Sequence, residues 1–259
     1  MRTLIILSFT LFLSVFNLQA SEDWGAVGHR TTGEIAEKHL TRKAKKAIDK
    51  LLNGQSLAFV STYGDEIKSD ELYRPYGPWH YVNFPFGTTY DESLKSEKGD
   101  LVAAIEACVE VLKNENASHA DKVFHLKMLV HFIGDLHQPL HVGISEDRGG
   151  NKFQVKWFGG GTNLHSVWDT KIIESYNMSY SELASNTNRL SKGDQQAIES
   201  GNLLDWVADS RTLCESIYAN TESGEKLGYK YMYDYVNVVR NQLQKGGIRL
   251  AVVLNDIFK

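Results

Sequence analysis

The sequence is poor in cysteine and in proline, and it has no excess of positive charge. Of its 259 residues two are cysteine and four are proline. Two cysteines exclude a disulfide-dense scaffold, and neither Cys108 nor Cys214 has a partner at the spacing of a thiolate metal site. They leave open one disulfide, which an oxidising compartment would favour and which would stabilise the fold by about 4 kcal/mol through chain entropy. The alternative is two buried free thiols. The scarcity of proline, with no repeat, linker or low-complexity run, indicates one domain, and the length allows a sizeable core. A net charge of -4 excludes a protein that grips nucleic acid by its own basic surface. No apolar run beyond residue 20 is long enough to span a bilayer. A nucleophilic serine elbow is missing, and Gly149-Gly150-Asn151 is no P-loop because no Gly-Lys-Ser/Thr follows it.

The first 20 residues differ from the rest. Arg2 precedes an apolar run from Leu4 to Phe16, which closes at Leu18-Gln19-Ala20. A basic start, a short apolar stretch and a small terminal residue describe a secretory signal peptide, with an uncleaved anchor as the alternative reading. The expectation is a leader over 1–20, a domain over 21–259, and a secreted or periplasmic location.

Periodicity predicts a mainly α protein. Thr31 to Lys50 reads as one helix through Ile35, Leu40, Ala44 and Ile48; Leu101 to Lys113 as a second; and Ala120 to Leu136, ending before Pro139, as a third. Gly228 to Phe258 predicts one or two closing helices, broken near Gly246-Gly247. Lys152 to Phe158 alternates like a strand ahead of Gly159-Gly160-Gly161, which suggests a small hairpin.

What the sequence does have is histidine and aspartate in a telling order. There are nine histidines. His131 and Asp135 share one face of the third helix by their i,i+4 spacing. His141 follows the helix, and His165 and Asp169 repeat the His-x-x-x-Asp spacing. His29, Asp65 and His80 complete the set. Asp135 sits among Val130, Phe132, Ile133 and Leu136, and a carboxylate buried there needs a compensating cation. Mixed imidazole and carboxylate ligands without thiolate suit catalytic rather than structural zinc. Several such ions together suit phosphoester hydrolysis.

These residues carry a resemblance. Trp24-Gly25-Ala26-Val27-Gly28-His29, His80-Tyr81-Val82-Asn83, the string from His131-Phe132-Ile133-Gly134-Asp135 to Gln138-Pro139-Leu140-His141, Gly149-Gly150-Asn151 and His165-Ser166-Val167-Trp168-Asp169 resemble the S1/P1 nuclease family. The likeness continues to Trp206-Val207-Ala208-Asp209-Ser210. The resemblance implies a helical fold shared in architecture with zinc-dependent phospholipase C, and three zinc ions. Asp65, His80, His131 and Asp135 would hold one; His141, His165 and Asp169 a second; His29, a bridging Asp135 and the amino nitrogen and carbonyl oxygen of an N-terminal Trp24 a third. Asp65 and Lys68 would serve catalysis. Gly150 and Asn151 match positions near the scissile phosphate, and Tyr81 an aromatic that stacks on a base. Implied substrates are single-stranded DNA or RNA and 3'-nucleotides, cleaved to 5'-phosphorylated products; no stable protein partner is implied. A phospholipase C-like hydrolase and a zinc-storage protein are the competing readings.

The sequence departs from that family pattern in three places. Lys68 stands where many relatives have arginine, keeping the charge and losing the bidentate fork. Asn83 replaces an aspartate, and Tyr63-Gly64 replaces Trp-Ala, a change expected to affect packing only. Loss of residues 1–20 removes Arg2 and takes the charge from -4 to -5; three zinc ions would return it to about +1. Attraction for phosphate would then be local, as suits flexible single strands.

Overall fold

The structure, a computed structural model, describes residues 25–91 and 97–259. The expected leader over 1–20 and the expected ligand Trp24 lie outside the described residues. The chain is mainly helical, as its periodicity predicts. In chain order α1 is Ala26–His39, α2 Arg42–Leu52, α3 Leu57–Val60 and α4 Tyr63–Glu66, followed by tight 3-10 turns over Glu71–His80. Then come α5 Leu101–Lys113, α6 His119–Leu136, α7 Leu164–Ser166, α8 Ile172–Tyr176, α9 Tyr180–Ser185, α10 Lys192–Glu199, α11 Leu203–Ala219 and α12 Tyr229–Ile257. Among the described residues no helix is long and apolar enough to cross a membrane.

The predicted helix over 31–50 is two helices. Leu40 leaves the helical region with ψ 139, and the Thr41 side chain accepts from the Ala44 N–H, capping a new start. Such a cap satisfies a donor that a helix terminus otherwise leaves unpaired. The predicted break at Gly246-Gly247 does not occur, since α12 runs through both. The glycines serve close packing instead. A β-carbon on Gly247 would lie 2.5 Å from Ile35 Cβ, and one on Gly246 3.2 Å from the His137 ring. Their absence lets α12 lie directly on α1.

The expected strand is β1, Gln154–Trp157, paired antiparallel with β2, Gly160–Asn163, in the register Gln154 to Asn163 and Trp157 to Gly160. A short β3, Lys226–Leu227, adds a parallel partner that the sequence did not announce. The core has two parts. One joins α2, α5, α6 and the end of α12 around Leu101, Met128 and Phe132; the other joins β1, α8, α11 and the first half of α12 around Leu164, Trp168 and Leu243. Cys108 belongs to the first and Cys214 to the second, and both are free and buried. This overturns the expected disulfide: each thiol packs as a small apolar group on its own helix, in a separate cluster. Burial pushes the Cys108 thiol well up, and that of Cys214 up to about 12, so both stay protonated and unreactive.

Candidate metal centre

The histidines and aspartates singled out by spacing converge where the two core clusters meet. His131 and Asp135 project from α6, which Ser118 starts by accepting from the Asp121 N–H. The helix stops at His137 ahead of Pro139, and the tight turn that follows carries His141. His165 lies on α7. Asp169 follows on a wider π-type turn over Val167–Lys171, an irregularity that re-aims a side chain at the cost of helical regularity. His29 comes from α1, Asp65 from α4 and His80 from the end of the tight turns.

Three groups result: His29, His131 and Asp135; Asp65, His80 and His131, which shares His131 with the first; and His141, His165 and Asp169. Within each, the ligand atoms lie within 4.8 Å of one another. Asp135 joins the groups. Its Oδ2 is 2.9 Å from His80 Nδ1 and 3.2 Å from His131 Nε2, while Oδ1 is 3.4 Å from both His29 Nε2 and His141 Nδ1. Two oxygens facing two sides is the disposition of a bridging carboxylate.

The surroundings orient these ligands. Nδ1 of His131 meets Ser61 O, that of His141 meets His80 O and that of His165 meets Gly149 O, each at 2.7 Å. A ring that donates Nδ1–H to a carbonyl presents the lone pair of Nε2 for a metal. Asp169 is steadied by the Gln138 amide, 3.1 Å from Oδ1. Two glycines make room for rings: a β-carbon on Gly134 would lie 2.7 Å from His29 Nδ1, and one on Gly64 2.5 Å from His131 Cδ2. His29 and His131 stack face to face with centroids 3.9 Å apart.

The donor set fits a divalent metal. Among the described residues, both ring nitrogens of His29, Oδ1 of Asp135, Nε2 of His141 and Oδ2 of Asp169 are buried and make no hydrogen bond. Unsatisfied buried polar atoms are expensive, and a shared cation satisfies them. The charge balance among the protein groups agrees. Burial alone would lower His131, yet Asp135 and Asp65 hold it up at about 10. Burial alone would raise Asp135, yet His131 and His141 hold it well below the usual carboxylate range. Burial wins at His80, which falls to about 4 against the pull of Asp135.

Above these ligands lies a cavity of about 280 Å³ lined by Lys68, Tyr81, Asn83, Asn151 and, unforeseen from sequence, Arg148. Lys68 Nζ is 3.1 Å from Asp65 Oδ1, and burial pushes its ammonium down to about 8 against the pull of Asp135 and Asp169. Tyr81 presents an exposed ring, 44% accessible. Asn83 Oδ1 and Asn151 Oδ1 are buried with no hydrogen bond among the described residues. Gly150 does not line the cavity; it shapes the loop, its N–H donating to Asp147 Oδ1 at 2.9 Å. The described chain begins beside the centre, for Gly25 N donates to Asp169 O at 3.0 Å.

Of the remaining histidines, His39, His119, His125 and His137, none belongs to a ligand group among the described residues. His137 is buried, with Nδ1 on Ile133 O and Nε2 facing Arg249. Sequence reasoning missed Gln138, Arg148, Asp147 and Tyr218. Gln138 lay inside the quoted string between Asp135 and His141. The other three carried no spacing signal, because they act across loops distant in sequence.

The S1/P1 Nuclease family profile matches residues 24–259. The chain is 35% identical to Endonuclease 4 of Arabidopsis thaliana over 267 residues, covering 91% of this chain and 89% of that protein. It is 28% identical to Nuclease P1 of Penicillium citrinum, covering 90% of this chain and 97% of the other, and 29% identical to Nuclease S1 of Aspergillus oryzae, covering 99% and 98%. With a family match over residues 24–259 and a relative 35% identical over 91% of the chain, the chain belongs to the S1/P1 nuclease family.

Proposed function

We propose that the protein is a trinuclear zinc phosphoesterase that cleaves single-stranded DNA or RNA and 3'-nucleotides, leaving 5'-phosphorylated products. The observation that carries this reading is the set of three neighbouring His/Asp groups linked through Asp135, with His80, His141 and His165 lining one cavity. Asp65, His80, His131 and Asp135 would hold one zinc, and His141, His165 and Asp169 a second. His29, Asp135 and the amine and carbonyl of Trp24 would hold a third. Bound zinc would supply Lewis acidity toward water and toward the phosphoryl oxygens.

The protein's own groups supply position and charge. Asp65 orients the attacking water and holds Lys68 by its ion pair. The Lys68 ammonium faces the phosphoryl oxygens and offsets their growing negative charge. Asn151 borders the scissile phosphate, and Gly150 holds the loop that carries it. Tyr81 offers a face on which any base stacks, worth about 1–3 kcal/mol, and the unsatisfied Asn83 carbonyl oxygen accepts from a base edge. Ligands this deeply buried are reached by a flexible strand whose bases are free, and not by a stiff duplex.

The same reading has residues 1–20 removed on export, the protein secreted or periplasmic, and a domain from 21 onward. The chain is then trimmed to start at Trp24, because a free amine chelates where an amide nitrogen does not. N-terminal sequencing of protein from its native host tests this. A fully active three-zinc protein starting at Ser21 refutes it.

The central test is a panel of single-stranded DNA, single-stranded RNA, duplex DNA, 3'-AMP and phosphatidylcholine, run beside elemental analysis. The expectation is about three zinc ions per chain, cleavage of both single strands and of 3'-AMP, and slower cleavage of duplex. Asp135→Ala should lose more metal than His141→Ala, since it touches more than one group. Equal rates on duplex and single strand, activity confined to phospholipid, or one zinc or none in unchelated protein overturns the reading.

A further inference from the structure

The cavity above the metal centre contains a cation with no assigned partner. Arg148 lines it together with Lys68, Tyr81 and Asn151. Lys68 is drawn to the carboxylates, 3.1 Å from Asp65. Arg148 is exposed, and among the described residues its guanidinium forms no hydrogen bond, ion pair or ring contact. Asp147, its neighbour in the chain, is already engaged. It accepts from the Gly150 N–H at 2.9 Å and from the Tyr218 hydroxyl at 2.7 Å.

The backbone beneath this guanidinium is strained and held. Arg148, Gly149 and Gly150 have φ of 60, 62 and 84 in succession, all left-handed. Glycine adopts such angles freely, whereas a residue with a β-carbon does so at a cost. The loop is over-determined by its bonds: Arg148 N to Ser145 O at 3.2 Å, Gly149 N to Ile144 O at 2.9 Å, Lys152 N to Asp147 O at 2.9 Å, and the Asn151 amide to Arg148 O at 2.9 Å. Gly149 O in turn accepts from the His165 ring. Strain retained in a rigid loop beside a site points to a use for the side chain. Here the loop fixes the root of a delocalised, permanently charged group beside a metal ligand, at the rim of the cavity.

We propose that Arg148 binds a phosphate of the strand adjacent to the scissile one, and thereby sets the preference of the site for oligonucleotides over mononucleotides. This rests on the nuclease reading above. The assignment to a neighbouring phosphate follows from depth. The scissile phosphate must reach ligands that are almost wholly buried, whereas Arg148 stands in solvent at the mouth. Its planar fork matches two phosphate oxygens. A 3'-nucleotide has no second phosphate to offer.

The test compares zinc-loaded wild type with Arg148→Ala, Arg148→Gly and Arg148→Lys on a single-stranded decanucleotide and on 3'-AMP. For Ala and Gly, kcat/KM on the decanucleotide should fall about three- to tenfold, mostly through KM, while the loss on 3'-AMP stays under twofold. The salt dependence on the decanucleotide should become shallower by about 0.7 in log–log slope, one phosphate contact fewer. Gly relaxes the left-handed backbone and Ala does not, so equal losses in the two assign the effect to the charge. Lys should recover part of it. Equal losses on both substrates, no loss on either, or a normal Gly variant beside a defective Ala variant overturns the proposal in an active enzyme. Wild type inactive on both substrates overturns the nuclease reading first, and this proposal with it.

Discussion

Gly134→Ala is the most incisive single-methyl test of the metal centre. In the middle of a helix this exchange ordinarily stabilises by about 1 kcal/mol. Here the new methyl would lie 2.7 Å from Nδ1 and 3.1 Å from Cε1 of His29, well inside van der Waals contact. His29 cannot retreat freely, because its ring also stacks on His131 at 3.9 Å. Overpacking of this kind costs about 1–3 kcal/mol, so with the helix gain the metal-free protein should change stability by no more than about 2 kcal/mol. That corresponds to a shift of about 4–8 °C at most for a chain of this size. The metal-loaded protein should suffer more. Moving His29 away from Asp135 removes one imidazole from the group that it shares with His131 and Asp135, while the other two groups keep their side chains. The expected result is a loss of about one metal per chain, and a drop in melting temperature that is larger with metal than after chelation, since ligands bound only by the folded state stabilise it. Elemental analysis and paired melting curves read both quantities. Full metal content with unchanged melting in both forms would refute the argument that Gly134 exists to seat His29.

Two further outcomes follow from buried groups near the centre. Arg211→Met should cost about 2–4 kcal/mol in denaturant unfolding, because the guanidinium donates to Val142 O, Gly143 O and Phe84 O and its removal strips the donor from buried Val142 O and Phe84 O, while Gly143 O keeps only the Phe84 N–H; a loss under 1 kcal/mol would contradict this. His137→Gln should flatten the acid limb of the stability profile. Burial, then Arg249, pushes His137 down to about 3 from its ordinary 6.5. The unfolded chain therefore binds a proton that the folded chain refuses, and stability falls as pH drops from about 6.5 toward 3. The variant should be less stable than wild type at pH 7 and the gap should narrow by pH 5; parallel profiles would show that His137 does not contribute to the slope.

How much was readable in the sequence depends on the range of the interaction. α5 and α6 were visible because their apolar periodicity and their boundaries are local: Asp100 and Ser118 cap them, and Pro139 follows the second. The pair His131/Asp135 was visible because helical spacing alone puts i and i+4 on one side, and His165/Asp169 because it repeats that spacing, although Asp169 lies on a π-type turn. Glycine misled where its role was tertiary. Gly246-Gly247 looked like a helix break and is a contact surface for α1, and Gly64, expected to be a packing change, makes room for a metal-facing ring. The disulfide failed for the same reason, since compartment chemistry says nothing about which core each thiol enters.

Residue types and local periodicity therefore determined the helical class, the places of the longer helices α1, α2, α5, α6 and α12, and the identity of the chemistry-bearing side chains. Tertiary structure alone decided three things. It chose which histidine shares an aspartate with which, through the two faces of Asp135. It fixed which ring nitrogen looks inward, through carbonyls of Ser61, His80 and Gly149. And it placed Arg148 on a strained loop at the rim, tied by Asp147 to Tyr218, 71 residues away. The physical reason is common to all three. A backbone carbonyl or an unpaired cation has no sequence signature of its own, and gains a role only when the fold sets another residue within hydrogen-bond distance of it.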